Sequence, residues 1–416
     1  SDHRGQRRTG GVGRKGRPVT PNSDRDAADD FPTGAWELPE EFVLLRDTVR
    51  KFVETEVRPL EDTLPHDAAG VPQPQLGDLQ HRARELGLWA LATPRRFGGA
   101  GLSVLGQVVV GEEAAKCRMG AFFPAGGAFG GDPPAVMYKA SAEQFDRFAR
   151  PIIEGRMAKA YTAISEPTGG SDPARAIRCR AVRDGDEYVL TGTKLWTSHA
   201  GDADWGVVYA RTGEAGARDG ISCFIVEKDT PGLTMTPIRV MNSFSPYELH
   251  FDAARVPVSN RIGDEGAGFQ LASDFLVHGR IVYAAGPIGI AQYALDLAVD
   301  WVKQRQVFGK ALSDMQAVQF MLADSEIELR AARLLMYQAA WNADLGRDVR
   351  VDASVCKVFG TETAFRVVDR CVQLFGAMGL SQEMPLERWF RDLRVKLLGE
   401  GASEVQRMVI ARRLLR

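Results

Sequence analysis

The hydrophobic period of this chain changes twice along its length, which restricts it to a fold in which helical regions flank a β-rich middle. From about 39 to 156 apolar residues recur at three- and four-residue spacing. Phe42, Leu45, Val49, Phe52 and Val53 form one stripe, and Pro59 is expected to close that helix or its next turn. The loop Pro94-Arg95-Arg96-Phe97-Gly98-Gly99-Ala100-Gly101 precedes a second apolar helix over 104–116. Between about 158 and 260 strand signals take over. Asp184-Gly185 reads as a hairpin turn, 206–210 and 221–226 read as strands, and Leu249-His250-Phe251 precedes a break at Val256-Pro257. Short strands at that spacing predict a compact barrel or sandwich. From Gly266 helical stripes return: Val318, Leu322, Ser325, Leu329, Ala332 and Met336 share one face of a helix reaching about Trp341, with further stripes over 351–374 and 403–415. Long helices with short links predict an antiparallel bundle.

Composition narrows the function classes. The chain has 416 residues, enough for two or three domains, and a net charge of −2, so no whole-protein field points to nucleic acid or membrane. The five cysteines form no CxxC pair and read as reduced intracellular thiols, and the six histidines include no HxxxH or HExxH spacing, so no metal site is expected. No apolar run reaches the roughly 18–20 residues that span a bilayer, since 275–291 is interrupted by His278 and Arg280. Residues 1–20 carry six Arg/Lys against one acid. That composition is expected to be disordered, and it lacks both a secretory apolar region and an amphipathic presequence stripe. The expectation is a cytoplasmic, mainly α protein with a central β-domain: a disordered basic tail (1–35), a helical domain (36–157), a β-barrel (158–262) and a four-helix bundle (263–416).

Three motifs carry chemistry. Glu400 sits between glycines in Gly399-Glu400-Gly401-Ala402-Ser403, a short loop before the last helix, where a carboxylate is well placed to meet a ligand. Far upstream, Ser165-Glu166-Pro167-Thr168-Gly169-Gly170-Ser171-Asp172 is followed by Leu195-Trp196-Thr197-Ser198. Small polar groups and a Trp suit a planar cofactor faced by a carboxylate base; a Gly-rich turn beside a buried Trp is the plainer alternative. Gly263, Gly266 and Gly268 have GxxGxG spacing, not that of a Rossmann or P-loop, and are expected to lead into the C-terminal helices.

In this order, Tyr161-Thr162-Ala163-Ile164-Ser165-Glu166-Pro167-Thr168-Gly169-Gly170-Ser171-Asp172, then Gln373-Leu374-Phe375-Gly376, Glu387-Arg388, Arg391-Asp392 and Gly399-Glu400-Gly401, the chain resembles the acyl-CoA dehydrogenase family of FAD flavoproteins over roughly 38–416. The resemblance implies that Ile164, Ser165, Gly170 and Ser171 line the isoalloxazine and nearby ligand, while Trp196, Thr197 and Ser198 cover its other side. It further implies that Arg305, Phe308 and Gln316, with Gln373, Gly376 and Ala377, reach the FAD of a neighbouring subunit, in a homotetramer or homodimer. Arg suits that task because its planar fork binds phosphate oxygens. Ala402 and Glu404 complete the cofactor set; Ser171, Arg280, Gly401 and Arg412 fall where relatives contact acyl-CoA. Glu387, Arg388, Arg391 and Asp392 are expected to form structural ion pairs within the bundle.

The implied reaction is α,β-dehydrogenation of an acyl-CoA thioester in fatty acid metabolism, with an electron-transfer flavoprotein as acceptor. A carboxylate takes the α-proton and the β-hydride goes to flavin N5. The catalytic Glu's own N–H and a ribityl hydroxyl stabilise the developing enolate, each such donor being worth about 3–4 kcal/mol. The family places its base in one of two positions. One is Glu400; the other is Gly279, which has no side chain, so Glu400 is the expected catalytic base, with Glu166 structural. Gly399 stands where Tyr is frequent and implies a wider acyl cavity. Ala402 stands for the usual Thr and Ala377 for a common Gly. An oxidase or monooxygenase on the same scaffold, a carrier-protein thioester dehydrogenase, and a nucleic-acid-associated flavoprotein with the basic face of Arg407, Arg412, Arg413 and Arg416 remain alternatives.

Overall fold

The first apolar stripe forms α1 (Glu40–Phe52) in the computed structural model, which describes residues 37–214 and 219–416, without the side chains of 273 and 274. The tail expected over 1–35 lies outside the described residues. Acidic Glu40 and Glu41 open α1 and basic Arg50 and Lys51 end it, complementing the helix dipole. Pro59 does not close this helix. A π-helical turn over Val53–Val57 precedes it, and α2 (Arg58–Glu61) continues with the proline in its first turn, where the missing N–H is tolerated. Next come α3 (Gln75–Glu85), α4 (Val104–Ala114), and the short α5 (Ala142–Gln144) and α6 (Arg150–Ile153). Ser103 caps α4 by accepting from the Gly106 N–H at 3.2 Å.

The middle region holds β1 (Ala160–Ala163), α7 (Pro173–Ala176), β2 (Arg180–Asp184), β3 (Glu187–Thr197), β4 (Trp205–Arg211), β5 (Ile221–Glu227), β6 (Leu233–Pro237), β7 (Tyr247–Pro257) and β8 (Arg261–Ile262). They form one sheet in the order β6-β7-β3-β2-β4-β5-β8, with β1 joined in parallel to β4. The β2–β3 hairpin turns at Gly185, whose φ of 63° favours glycine. Tyr188, Leu190, Phe224 and Phe251 fill one buried face of the sheet. A register shift between β3 and β7 at Lys194 to Thr197 breaks the alternation and turns the end of β3 outward, which decides where Trp196 points.

Gly268 opens the 37-residue α8 (Gly268–Gln304), followed by the small hairpin β9 (Gln306–Val307) and β10 (Lys310–Ala311), then α9 (Gln316–Asp344), α10 (Arg350–Phe375), α11 (Leu386–Lys396) and α12 (Ser403–Leu414). Of the stripe read on α9, Val318, Ser325, Leu329, Ala332 and Met336 are buried in the bundle core. Helix α4 packs so tightly on α8 that a Cβ at Gly289 would collide with the Glu112 carbonyl. By length and composition α8 could cross a membrane, but most of that apolar window is packed inside the protein. All five cysteines are buried and free.

The ion pairs expected within the bundle also cross between regions. Arg388, fully buried, donates to the carbonyls of His66 and Ala68 at 2.5 and 3.0 Å. Arg391 pairs with Glu387 and with Asp67, and Asp392 accepts from the Ser243 N–H and hydroxyl, both at 2.8 Å. One face of α11 thereby holds all three regions together. That fixes the loop immediately after it.

Candidate active site

That loop, 397–402, carries Glu400 in the left-handed region at φ 56°, followed by Gly401 at φ 90°. Several groups hold it. Arg280 Nε on α8 donates to the Glu400 carbonyl at 3.0 Å, and Gln406 Nε2 reaches the same carbonyl at 3.3 Å. Gln406 is itself fixed by Ser354 on α10, whose hydroxyl donates to Gln406 Oε1 at 2.9 Å. Lys357 Nζ and the Ser403 N–H both donate to the Leu397 carbonyl. Among the described residues the Glu400 N–H has no acceptor. A non-glycine residue at positive φ costs on the order of 1–3 kcal/mol and persists where surroundings enforce it; the polar tethers do so here.

The Glu400 side chain reaches solvent yet is enclosed by protein on most sides, as on the floor of a cleft. Burial pushes its carboxyl above the usual carboxylate range, opposed by Arg280, Lys396 and Lys357. Burial in turn lowers Lys396 and Lys357, each to about 8. The alternative base position, Gly279, opens onto free space within 4 Å of where its Cβ would lie.

The Gly-rich loop after β1 forms a second cluster with the end of β3. Leu195 N donates to the Ser165 carbonyl at 2.9 Å, which sets Ser165 beside Trp196. A Cβ on Gly170 would lie 3.6 Å from Ser165 Oγ, so Gly170 belongs to the same wall. The Glu166 carboxylate is fully engaged: it accepts from Lys194 Nζ at 2.7 Å and from the N–H groups of Arg178 and Cys179. Lys194 Nζ also donates to the Ile164 carbonyl at 3.0 Å. Trp196 stands 57% exposed at φ 62°, and beside it the buried Thr197 hydroxyl has no hydrogen-bond partner among the described residues. Ser198 and Ser171 are exposed in the same loops.

A chain of rings links the two loops. His199 packs on Phe244 with centroids 4.6 Å apart, Phe244 on Phe122 at 5.4 Å, and Lys396 Nζ lies 4.9 Å from the Phe122 ring and 4.8 Å from that of Tyr283. None of these residues stands out in the sequence, because each is placed by a tertiary contact. The cavity also departs from expectation at Gly399. Its missing side chain does not leave space, since a Cβ there would collide with the Tyr283 hydroxyl from α8.

A second set gathers at one end of the bundle, where Trp301 of α8 stacks on Phe375 of α10 at 4.7 Å. Arg305, Phe308 and Gln316 lie exposed there around the β9–β10 hairpin, and Gln373, Gly376 and Ala377 are exposed at the end of α10. Phe308 is 98% exposed at φ 49°. Ala402 precedes α12 and Glu404 lies in its first turn, next to the Glu400 loop. Arg412 lies exposed in the last turn of α12, and among the described residues no hydrogen bond or ion pair joins it to the Glu400 loop.

Comparison with known proteins decides the family. The models described as acyl-CoA dehydrogenase N-terminal, middle and C-terminal domains match residues 39–156, 162–254 and 266–415. The chain belongs to the acyl-CoA dehydrogenase family. It is 36% identical over 385 residues to the mitochondrial short-chain specific acyl-CoA dehydrogenase of Mus musculus, covering 91% of each chain. Butyryl-CoA dehydrogenase from Megasphaera elsdenii superposes with a TM-score of 0.78 at 30% identity, covering 91% of this chain and 99% of that one. The FAD complex of PigA gives a TM-score of 0.81 at 25% identity, with 91% and 98% covered.

Members of this family are FAD-dependent enzymes. The residues present fit that cofactor. A solvent-facing indole held at positive φ, a buried hydroxyl beside it without a partner among the described residues, and the adjoining Ser165 and Gly170 offer a flat apolar face with hydrogen-bonding groups at its edge.

Proposed function

We propose that this acyl-CoA dehydrogenase family member oxidises an acyl-CoA thioester across Cα–Cβ, with Glu400 as the base. The observation that carries this reading is Glu400 itself: a carboxylate at φ 56°, in a cleft that raises its pKa, on a loop held by Arg280 and Gln406. Burial makes it a stronger base, and Arg280, Lys396 and Lys357 oppose that rise. Glu400 takes the α-proton onto a carboxylate oxygen, and the electron pair left on Cα forms the new double bond as the β-hydrogen departs with its pair. The free Glu400 N–H is available to the thioester carbonyl oxygen as negative charge develops there. FAD, when bound, supplies the two-electron oxidant that receives the β-hydride.

Ile164, Ser165, Gly170, Ser171, Trp196, Thr197 and Ser198 would hold the ring system, with Ala402 and Glu404 near the base loop. Arg305, Phe308, Gln316, Gln373, Gly376 and Ala377 would meet the cofactor of a second copy, consistent with an aromatic side chain as exposed as Phe308. The assembly is then a homo-oligomer, a tetramer by family resemblance, delivering electrons to an electron-transfer flavoprotein. Arg280 and Gly401 would border the acyl group, with Arg412 more distant.

An anaerobic titration of the yellow protein with acyl-CoA thioesters is the direct test. The flavin band should bleach in the parent. Glu400→Gln should keep its flavin and lose roughly 10²–10⁴-fold in the rate of bleaching. Near-parental bleaching by that variant removes Glu400 from the mechanism.

A further inference from the structure

Lys396, the last residue of α11, ends in an ammonium that the folded chain leaves without an anion. The two nearest carboxylates are accounted for otherwise. Asp392 accepts from the Ser243 N–H and hydroxyl and pairs with Arg388. Glu400 and Lys396 influence each other, yet among the described residues no carboxylate lies within ion-pair distance of Lys396 Nζ and no hydrogen bond engages it. Its neighbours are the rings of Phe122 and Tyr283, at 4.9 and 4.8 Å. Those rings offset only part of the loss of hydration. Phe122 belongs to the aromatic chain and the Tyr283 hydroxyl borders Gly399, so the Lys396 ammonium lies between that chain and the Glu400 loop.

We propose that Lys396 is the anion-recognising residue of the acyl cavity, and that the substrate is a thioester whose acyl group ends in a carboxylate. This deepens, and rests on, the dehydrogenase reading above. A cavity meant only for an alkyl chain gains nothing from a lysine: an entering alkyl group would strip water from the ammonium and return no partner. A distal carboxylate restores that partner through a charge-assisted hydrogen bond. It also meets an electrostatic problem that such a substrate brings, since its charge and that of Glu400 repel, and Lys396 is a cation near Glu400 that no carboxylate pairs among the described residues.

The surroundings support this. Tyr283 fills the space beside Gly399, so the cavity is short on that side. A second lysine, Lys159, lies 5.3 Å from the Phe123 ring and 3.3 Å from His199 Nδ1, and among the described residues it too has no carboxylate within ion-pair distance. Burial, with Lys159 and Lys396 nearby, lowers His199 to about 4, so the imidazole is neutral near pH 7 and the positive field comes from the two lysines. Burial brings Lys396 to about 8, which leaves it mostly protonated at pH 7.

The test compares two thioesters of equal carbon count, glutaryl-CoA and pentanoyl-CoA, by flavin reduction in the parent holoenzyme and in Lys396→Met, Lys396→Gln and Lys396→Arg. The readout is the ratio of their kcat/KM values, in which effects of Lys396 on Glu400 common to both substrates cancel. The parent should favour glutaryl-CoA by at least about tenfold. Lys396→Met and Lys396→Gln should reverse that preference, and Lys396→Arg should keep it. Bleaching by pentanoyl-CoA with no advantage for glutaryl-CoA in the parent overturns the assignment while leaving the dehydrogenase reading intact. A parent preference that persists in both neutral variants overturns Lys396 as its cause. Bleaching by no acyl thioester removes both readings. Should one neutral variant fail to hold flavin, the other, together with the parent ratio, still decides.

Discussion

Arg280 Nε donates to the Glu400 main-chain carbonyl over 3.0 Å, so one guanidinium both braces the 397–402 loop and acts on the Glu400 carboxylate. Position and proton affinity of Glu400 are therefore coupled through a single side chain on a different helix. Arg280→Met is expected to retain flavin, to lower kcat by tenfold to a hundredfold through loss of a charge-assisted hydrogen bond, and to move the acid limb of the pH–rate profile upward. The sign follows from the cation's effect: Arg280 lowers the Glu400 pKa, so its removal raises it. An acid limb that stays in place while kcat falls would show that Arg280 acts by bracing alone.

Gly399 and Tyr283 form a size-matched pair. Because a Cβ at Gly399 would strike the Tyr283 hydroxyl oxygen, Gly399→Ala should displace the Glu400 loop and reduce kcat at least tenfold. Tyr283→Phe removes only that oxygen, and the next ring atom lies 3.3 Å from the added Cβ. The double variant should recover most of the lost rate, giving a clear interaction term in a double-mutant cycle. Additive effects of the two substitutions would mean that the hydroxyl does not set the size limit.

The contrast between these two residues shows what could be read before the fold was known. Periodicity located the α9 stripe from Val318 to Met336 and the β2–β3 turn at Asp184-Gly185, because those signals are local. Glu400 was legible because glycines on both sides mark a loop. The consequence of Gly399 was not. Its vacant side is filled by Tyr283, 116 positions away (399 − 283), and a single sequence carries no sign of that contact. Lys396 carries no local signal for the same reason: at the end of a charged helix its sequence is that of a solvated cation, and only packing against Phe122 and Tyr283 places it. Pro59 falls in the last helical turn rather than at the end of α1, because a π-turn just before it lets the helix continue to Glu61.

Lys194 and Glu166 make a buried pair under the cofactor-side loop, with side chains 0% and 4% exposed. Lys194→Met would leave the Glu166 carboxylate without its cation and free the Ile164 carbonyl. A cost of about 3–5 kcal/mol is expected, together with weaker FAD retention, since Ile164 and Ser165 immediately precede Glu166 and Lys194 holds the Ile164 carbonyl. Denaturant midpoints and flavin content after gel filtration measure both. A variant that is destabilised yet holds flavin as tightly as the parent would separate the anchor from the cofactor loop.

Glu113 ties stability to pH. Burial alone would raise its carboxyl, but Lys116 and Arg50 outweigh burial and hold it at about 2, against an ordinary value of 4.5. A folded-state pKa below the unfolded one means the folded protein binds this proton less readily, so the contribution is fully present above about pH 4.5 and is lost as pH falls toward 2. At neutral pH the contribution is at most about 3 kcal/mol. Glu113→Gln, which resembles the protonated acid, should therefore be less stable than the parent at pH 6, and the gap in denaturant midpoints should close progressively between pH 4.5 and 2. A gap of constant size across that window would assign the loss to packing around Arg50 and Lys116 rather than to the charge.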